Sequence, residues 1–145
     1  MPHRRNMKNR FALLAAPLML ALTAAAPAAK QTSAPDTVRV AITTEAGAIV
    51  VVLDGKRAPA TTGNFLPYAD EGRFDSTVFY RSMHLAWGDA PNGLIQAGTQ
   101  NDPKRILPPI SHEPTNVTGD KHTAGAISMA RYAPGTATGD FSILL

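Results

Sequence analysis

An arginine and a glutamine on two strand-like segments are the residues whose types and spacing best suit chemistry. The alternating pattern of residues 77–83 predicts a strand that places Phe79 and Arg81 on the same, buried face. A guanidinium on a buried face is costly unless it has a polar task, which makes Arg81 the first functional candidate. The alternative is an arginine that extends from a sheet edge into solvent. Gln96 lies in a second predicted strand, residues 93–98. Such strand faces suit the holding of a peptide without covalent chemistry.

The remaining reactive side chains indicate neither a metal site nor a nucleophile. His112, Glu113 and His122 are possible ligands, but their spacing fits no zinc signature and their segment is rich in proline. Ser128 and Ser142 lack the strand-turn-helix context of a nucleophilic serine. The chain has no cysteine, which excludes disulfides and thiolate chemistry. We therefore expect no metal and no cofactor.

The charge distribution argues against nucleic acid as a partner. The formal net charge of the 145-residue chain is +3, with 14 basic and 11 acidic residues. Four of the basic residues lie within the first ten positions, so the rest of the chain holds 10 basic against 11 acidic residues. A nucleic-acid binder needs clustered lysine and arginine to neutralise phosphates. The body of the protein has no such cluster.

The N-terminal segment is typical of a secretory signal peptide. A basic start is followed by an apolar run from Phe11 to Ala26, and Ala26-Pro27-Ala28 supplies small residues for cleavage. A transmembrane anchor is the alternative, but the run is shorter than the roughly 20 residues a spanning helix needs. We predict a leader at 1–28, a linker at 29–36 and a periplasmic or secreted protein. No stable membrane insertion is expected after leader removal.

A β-hairpin and a helix are predicted to follow. The period-two pattern from residue 37 and the β-branched run 48–53 predict two paired strands, the second with cover on both faces. Residues 59–72 predict a helix with proline at its entry and glycine beyond its exit. Gly63 and Pro67 lower helix propensity, so we expect it to be short, kinked or broken. The side chains expected to face inward are Phe65, Leu66 and Ala69.

The rest of the chain reads as short strands separated by loops. Residues 101–120 contain four prolines and predict an irregular surface segment. Strand character returns at 125–131 and again at 141–145, with a turn at 135–139 between them. Together, residues 37–145 predict one mainly β domain.

The order of segments resembles the cyclophilin-type peptidyl-prolyl cis-trans isomerases, and with the leader it resembles an exported bacterial member. The likeness covers about residues 38–143. It is carried by Thr43-Thr44-Glu45-Ala46-Gly47-Ala48-Ile49, Pro59 with Asn64-Phe65-Leu66, Phe79-Tyr80-Arg81, Leu94-Ile95-Gln96-Ala97-Gly98, and His122-Thr123-Ala124-Gly125-Ala126-Ile127-Ser128-Met129-Ala130-Arg131.

The resemblance implies a closed antiparallel β-barrel of eight strands with capping helices and a substrate groove on its outer wall. It makes Arg81 the catalytic residue, acting without cofactor or metal on proline-containing polypeptides. The implied substrate-binding residues are Leu94, Gln96, Met129, Ala130 and Phe141.

The sequence also departs from the family pattern. Gly93 and Leu94 stand where the family has an aromatic residue, and Asp140 and Ser142 replace a glutamine and a second aromatic. The sequence stops where the family still has strands and a helix, so we expect an incomplete barrel at the C-terminus that folds poorly alone. Three functions stay open: an isomerase for folding exported proteins, a non-catalytic module that binds proline-containing peptides, and an inactive truncated fragment.

Overall fold

The computed structural model describes residues 36–86, 88–89 and 92–145. The predicted leader, almost all of the predicted linker and Trp87 lie outside the described residues. The described elements are, in chain order, β1 (Val38–Thr44), β2 (Gly47–Leu53), α1 (Pro59–Asp70), β3 (Phe79–Met83), β4 (Leu94–Gly98), α2 (Thr115–Thr118), β5 (Ile127–Met129) and β6 (Asp140–Leu144).

The first two strands form the predicted hairpin. They pair antiparallel from Val38 opposite Leu53 to Thr44 opposite Gly47. The prediction that β2 is covered on both faces is wrong, because Val50 and Val52 are 58% and 51% exposed. Within the described residues the two strands pair only with each other and pack one face on the core, so alternate side chains of β2 point away from it.

Helix α1 is continuous, contrary to the expected kink or break. It begins with a proline in its first turn and runs for 12 residues through Pro67. The proline ring opposes the carbonyl four residues earlier, and here that residue is Gly63, whose backbone adapts most easily. Phe65 and Tyr68 are 1% and 0% exposed, so burial against the core also stabilises the helix. Leu66 and Ala69, expected to face inward, are half-buried. No helix in the described part of the chain is long and apolar enough to span a membrane.

The other four strands form one antiparallel sheet in the order β3-β4-β6-β5. In its centre, β4 pairs with β6 from Leu94 opposite Leu144 to Gly98 opposite Asp140. Strand β5 pairs along the other side of β6, with Ser128 opposite Ser142. The predicted strands at 93–98 and 141–145 are present with slightly different bounds, whereas the strand predicted at 125–131 is limited to the three residues of β5.

The expected closed barrel is not present among the described residues. The β1-β2 hairpin shares no backbone pairing with the four-stranded sheet, and a barrel requires each strand to be hydrogen-bonded on both sides. The two sheets and α1 instead meet through side chains in one core. Its buried members are Val51, Leu53, Phe65, Ala97, Phe141 and Ile143.

The 101–120 segment is irregular, as predicted, except for the short helix α2, and it is fixed to the rest of the fold. Ile110 forms an isolated antiparallel bridge with Ala137. The carboxylate of Glu113 accepts hydrogen bonds from the backbone N–H groups of Ala60 at 2.9 Å and Thr61 at 2.7 Å. Helix α1 has no side-chain cap of its own, so this carboxylate satisfies donors that its first turn leaves free.

Candidate active site

Four polar side chains form a row across the four-stranded sheet. Arg81 lies opposite Gln96, Gln96 opposite Ser142, and Ser142 opposite Ser128. Residues directly opposite each other in antiparallel strands project from the same face. The neighbouring Phe141 is buried in the core, so the row occupies the opposite, outer face.

A register shift in β3 brings Arg81 to this outer face. Phe79 pairs with Ala97, a core residue, whereas Arg81 pairs with Gln96, and the ladder is irregular between Phe79 and Arg81. The predicted shared face of Phe79 and Arg81 is therefore wrong, because a bulge interrupts the period of two. Arg81 is exposed, not on a buried face. Tyr80 is the residue that the bulge inserts between them.

The amide of Gln96 joins the two side chains of the bulge. The Nη1 of Arg81 donates a hydrogen bond to Oε1 of Gln96 at 3.3 Å. The Nε2 of Gln96 donates to the hydroxyl of Tyr80 at 2.7 Å. A guanidinium held at an exposed sheet face offers further N–H donors to a bound molecule.

A buried carboxylate lies beside this cluster. Asp140 is 7% exposed, and its Oδ1 accepts a hydrogen bond from the backbone N–H of Gln100 at 2.7 Å. Burial first, and the charge of Asp140 second, raise the pKa of Tyr80 above its ordinary value of 10.0. The phenol of Tyr80 is therefore protonated at neutral pH.

Apolar side chains continue the outer face beyond Gln96. Leu94 is two residues before Gln96 on the same strand, and it lies opposite Met83 on one side and Leu144 on the other. All three are partly buried. Leu94 and Gln96 thus share a face, as predicted, and they combine an apolar surface with an amide.

Ala130 follows β5 next to β6. Its backbone N–H donates to the carbonyl of Asp140 at 2.8 Å, which places Ala130 beside the start of β6. Ala130 is half-buried.

Two of the residues expected in the groove lie on the other side of the sheet. Phe141 is 3% exposed and pairs with Met129, which packs against the same core. The reason is alternation: Phe141 is adjacent to Ser142, so if one faces outward the other must face inward. The expectation that Phe141 and Met129 line the substrate groove is therefore wrong, because both side chains pack on the core side of the sheet.

Comparison with known proteins assigns the family. The sequence model described as "Cyclophilin type peptidyl-prolyl cis-trans isomerase/CLD" matches residues 39–145. The chain belongs to the cyclophilin-type peptidyl-prolyl cis-trans isomerase family. It is 34% identical over 122 residues to peptidyl-prolyl cis-trans isomerase A of Dickeya dadantii, covering 82% of this chain and 58% of that protein. It is 36% identical over 104 residues to isomerase B of Escherichia coli, covering 69% and 58%.

A similar likeness extends to the peptidyl-prolyl cis-trans isomerase cyp18 of Streptomyces antibioticus, which is 35% identical over 109 residues. That match covers 72% of this chain and 60% of the relative. The chain therefore spans about three fifths of the length of these curated cyclophilin-type relatives.

The cyclophilin-type sheet also holds polar groups to which sequence reasoning gave no role. Nε2 of His122 is 2.8 Å from Oγ of Ser128, at the end of the polar row. In an uninterrupted strand, Tyr80 would point away from the face of Arg81. The bulge places the side chains of Tyr80 and Arg81 together beside Gln96, and the local sequence pattern does not predict that bulge.

Two of the three residues considered as metal ligands have other contacts. Glu113 binds the first turn of α1 and His122 contacts Ser128. Among the described residues no group of three or more histidine, aspartate or glutamate side chains is arranged to hold a metal ion.

A large open concavity of about 1280 Å³ lies between β2 and residues 110–131. Neither Arg81 nor Gln96 lines it. The candidate site is the outer sheet face, because that is where the guanidinium, the amide and the apolar side chains converge.

Proposed function

We propose that this chain is a peptidyl-prolyl cis-trans isomerase in which Arg81 is the catalytic residue. The observation that carries the proposal is the exposed guanidinium of Arg81, held by Gln96 on a sheet face that continues into Leu94. Family membership supports the same reaction class. The substrates we propose are proline-containing polypeptides.

The reaction requires only that the protein bind a twisted amide better than a planar one. Resonance gives the X-Pro bond a barrier of about 18 to 20 kcal/mol, while its cis and trans forms differ by about 0.5 to 1 kcal/mol. At the top of the barrier the lone pair is localised on the proline nitrogen. A donor aimed at that nitrogen stabilises the transition state more than either ground state.

Arg81 suits this role because its guanidinium stays charged and only donates hydrogen bonds. One N–H is used by Gln96, which leaves others for the substrate. The amide of Gln96 retains a second lone pair and a second N–H with which to hold the peptide backbone. We assign the proline ring to the apolar surface of Leu94, Met83 and Leu144. No step requires a cofactor or a metal.

The test is a protease-coupled isomerase assay on an Ala-Pro peptide. Arg81→Ala should lower kcat/KM about 100-fold, the usual order for loss of a transition-state donor. Arg39→Ala is the matched control, since Arg39 is an exposed arginine in the other sheet, and it should retain the wild-type rate. Equal rates for the wild type and Arg81→Ala would refute the assignment.

A second candidate is a module that binds proline-containing peptides without isomerising them. It is favoured by the composition of the outer face, where Ser142 projects while the aromatic Phe141 is buried. An aliphatic and serine-lined surface positions a proline ring less precisely than an aromatic one, which lowers turnover while Gln96 can still bind the peptide backbone. Saturable peptide binding with no turnover would support this module.

We further propose that the substrates are exported proteins and that the chain works in the periplasm or outside the cell. The support is the leader pattern in residues 1–28, followed by a polar linker at 29–36. Fusing residues 1–36 to a reporter enzyme that is active only after export tests this. A reporter that stays in the cytoplasm would contradict it.

A further inference from the structure

We infer that Tyr80 is a positioning residue for Arg81, acting through the amide of Gln96. The inference rests on the proposed isomerase function and extends it to a residue outside the predicted site. Tyr80 does not face Arg81 directly in the hydrogen-bond network. Its hydroxyl accepts from Gln96, and Gln96 in turn accepts from Arg81.

The direction of these hydrogen bonds follows from the groups themselves. A guanidinium has only donors, so the part of the Gln96 amide that meets Arg81 must be its oxygen. The amide NH₂ then points to Tyr80, whose hydroxyl oxygen accepts. A hydroxyl that accepts in this way keeps its own proton for another acceptor.

The carboxylate of Asp140 is the charged group that acts on Tyr80 from beside the cluster. Burial first, and this charge second, raise the pKa of Tyr80, so its hydroxyl stays protonated while it accepts from Gln96. Asp140 is itself buried and bonded to the backbone of Gln100. The hydrogen-bonded series therefore has three members, Tyr80, Gln96 and Arg81, and the charge of Asp140 lies beside it.

The lengths of the contacts indicate where the amide is anchored. The contact from Gln96 to Tyr80 is 2.7 Å, whereas the contact from Arg81 to Gln96 is 3.3 Å. Gln96 is thus held mainly by the phenol and offers its oxygen to the arginine. None of the ion pairs in the described part of the chain includes Arg81, so its orientation depends on this amide.

Loss of the hydroxyl should release the amide and widen the range of Arg81 rotamers. Tyr80→Phe removes one oxygen atom and keeps the ring. An exposed arginine gains conformational freedom when its partner is free to rotate. We expect kcat to fall about 3- to 10-fold with KM within twofold, the range for one hydrogen bond.

A double-mutant cycle tests whether Tyr80 acts through Gln96. Tyr80→Phe should lower kcat in the wild-type background and have no further effect in Gln96→Ala. Tyr132→Phe is the matched control, because Tyr132 is 89% exposed, and it should leave kcat unchanged. An unchanged kcat in Tyr80→Phe, or equal losses in both backgrounds, would overturn the inference.

A spectroscopic measurement separates this inference from the proposed function. The ¹⁵N-labelled side-chain amide of Gln96, identified by its loss in Gln96→Ala, should shift in Tyr80→Phe and stay in place in Tyr132→Phe. A wild-type protein with no isomerase activity would refute the proposed function. The hydrogen bond between Gln96 and Tyr80 would still be tested by the Gln96 amide signal. An amide signal that does not move in Tyr80→Phe would refute the role of Tyr80 whatever the activity.

Discussion

Phe141 is expected to stabilise the fold and to take no part in binding substrate. Its ring lies 5.4 Å from that of Phe65, 5.4 Å from that of Phe74 and 6.3 Å from that of Phe79, each in an edge-on arrangement. Edge-on pairs contribute about 0.5 to 1.5 kcal/mol each beyond the area they bury. Phe141→Leu keeps an apolar side chain but loses all three pairs, so we expect a loss of about 1.5 kcal/mol or more.

Alanine at the same position should cost more, because it also leaves a cavity. Phe→Ala changes in a core cost about 3 to 5 kcal/mol, against a total stability of about 5 to 15 kcal/mol. Phe141→Leu is therefore the better variant for measuring function, because its smaller loss of unfolding free energy leaves the protein folded.

The assays are urea unfolding and peptide kinetics on the same samples. With a slope of about 1 to 3 kcal/mol per molar urea, the midpoint of Phe141→Leu should fall by about 0.5 to 1.5 M. Its KM for an Ala-Pro peptide should stay within twofold of wild type. A raised KM with an unchanged midpoint would refute the placement of Phe141 in the core and return it to the groove.

Two further predictions concern the ends of elements. Glu113→Gln should cost about 0.5 to 2 kcal/mol in urea unfolding, because it removes the anion at the first turn of α1, whereas Glu45→Gln in the exposed β1-β2 turn should change little. No difference between the two variants would contradict that role. Hydrogen bonds from the backbone and side chain of Arg57 hold the pKa of Asp54 below its ordinary value of 3.8. As the pH falls, the Asp54 carboxylate is protonated in the unfolded chain before it is protonated in the folded one. The stability that Asp54 contributes is therefore complete above about pH 3.8 and is lost as the pH falls through the lower pKa of the folded state. NMR titration of Asp54 measures that pKa, and a value at or above 3.8 would refute the prediction.

The elements of this fold were predictable from the sequence because they depend on local pattern. Alternation gave β1, the β-branched run gave β2, and the proline and glycine at 59 and 72 bracketed α1 to within two residues. The exposure of Val50 and Val52 was not predictable in this way. It depends on which strands pair with β2, and that is a property of the tertiary fold.

The candidate site was predictable in its residues and less so in its geometry. Arg81 and Gln96 were identified, but alternation placed Arg81 on the buried side with Phe79. The bulge turns Arg81 to the outer face instead, and a single inserted residue leaves no clear pattern in the local sequence. The contact from Glu113 to α1 spans more than 50 residues and was likewise beyond a local pattern.

The central claim is that Arg81 accelerates X-Pro isomerisation on the outer sheet face. NMR exchange spectroscopy on an Ala-Pro peptide measures both binding and cis-trans interconversion in one sample. We predict exchange cross-peaks with wild-type protein, and binding with much weaker exchange for Arg81→Lys, because an ammonium lacks the fixed planar array of donors. Binding without accelerated exchange in the wild type, or equal exchange in both proteins, would contradict the account.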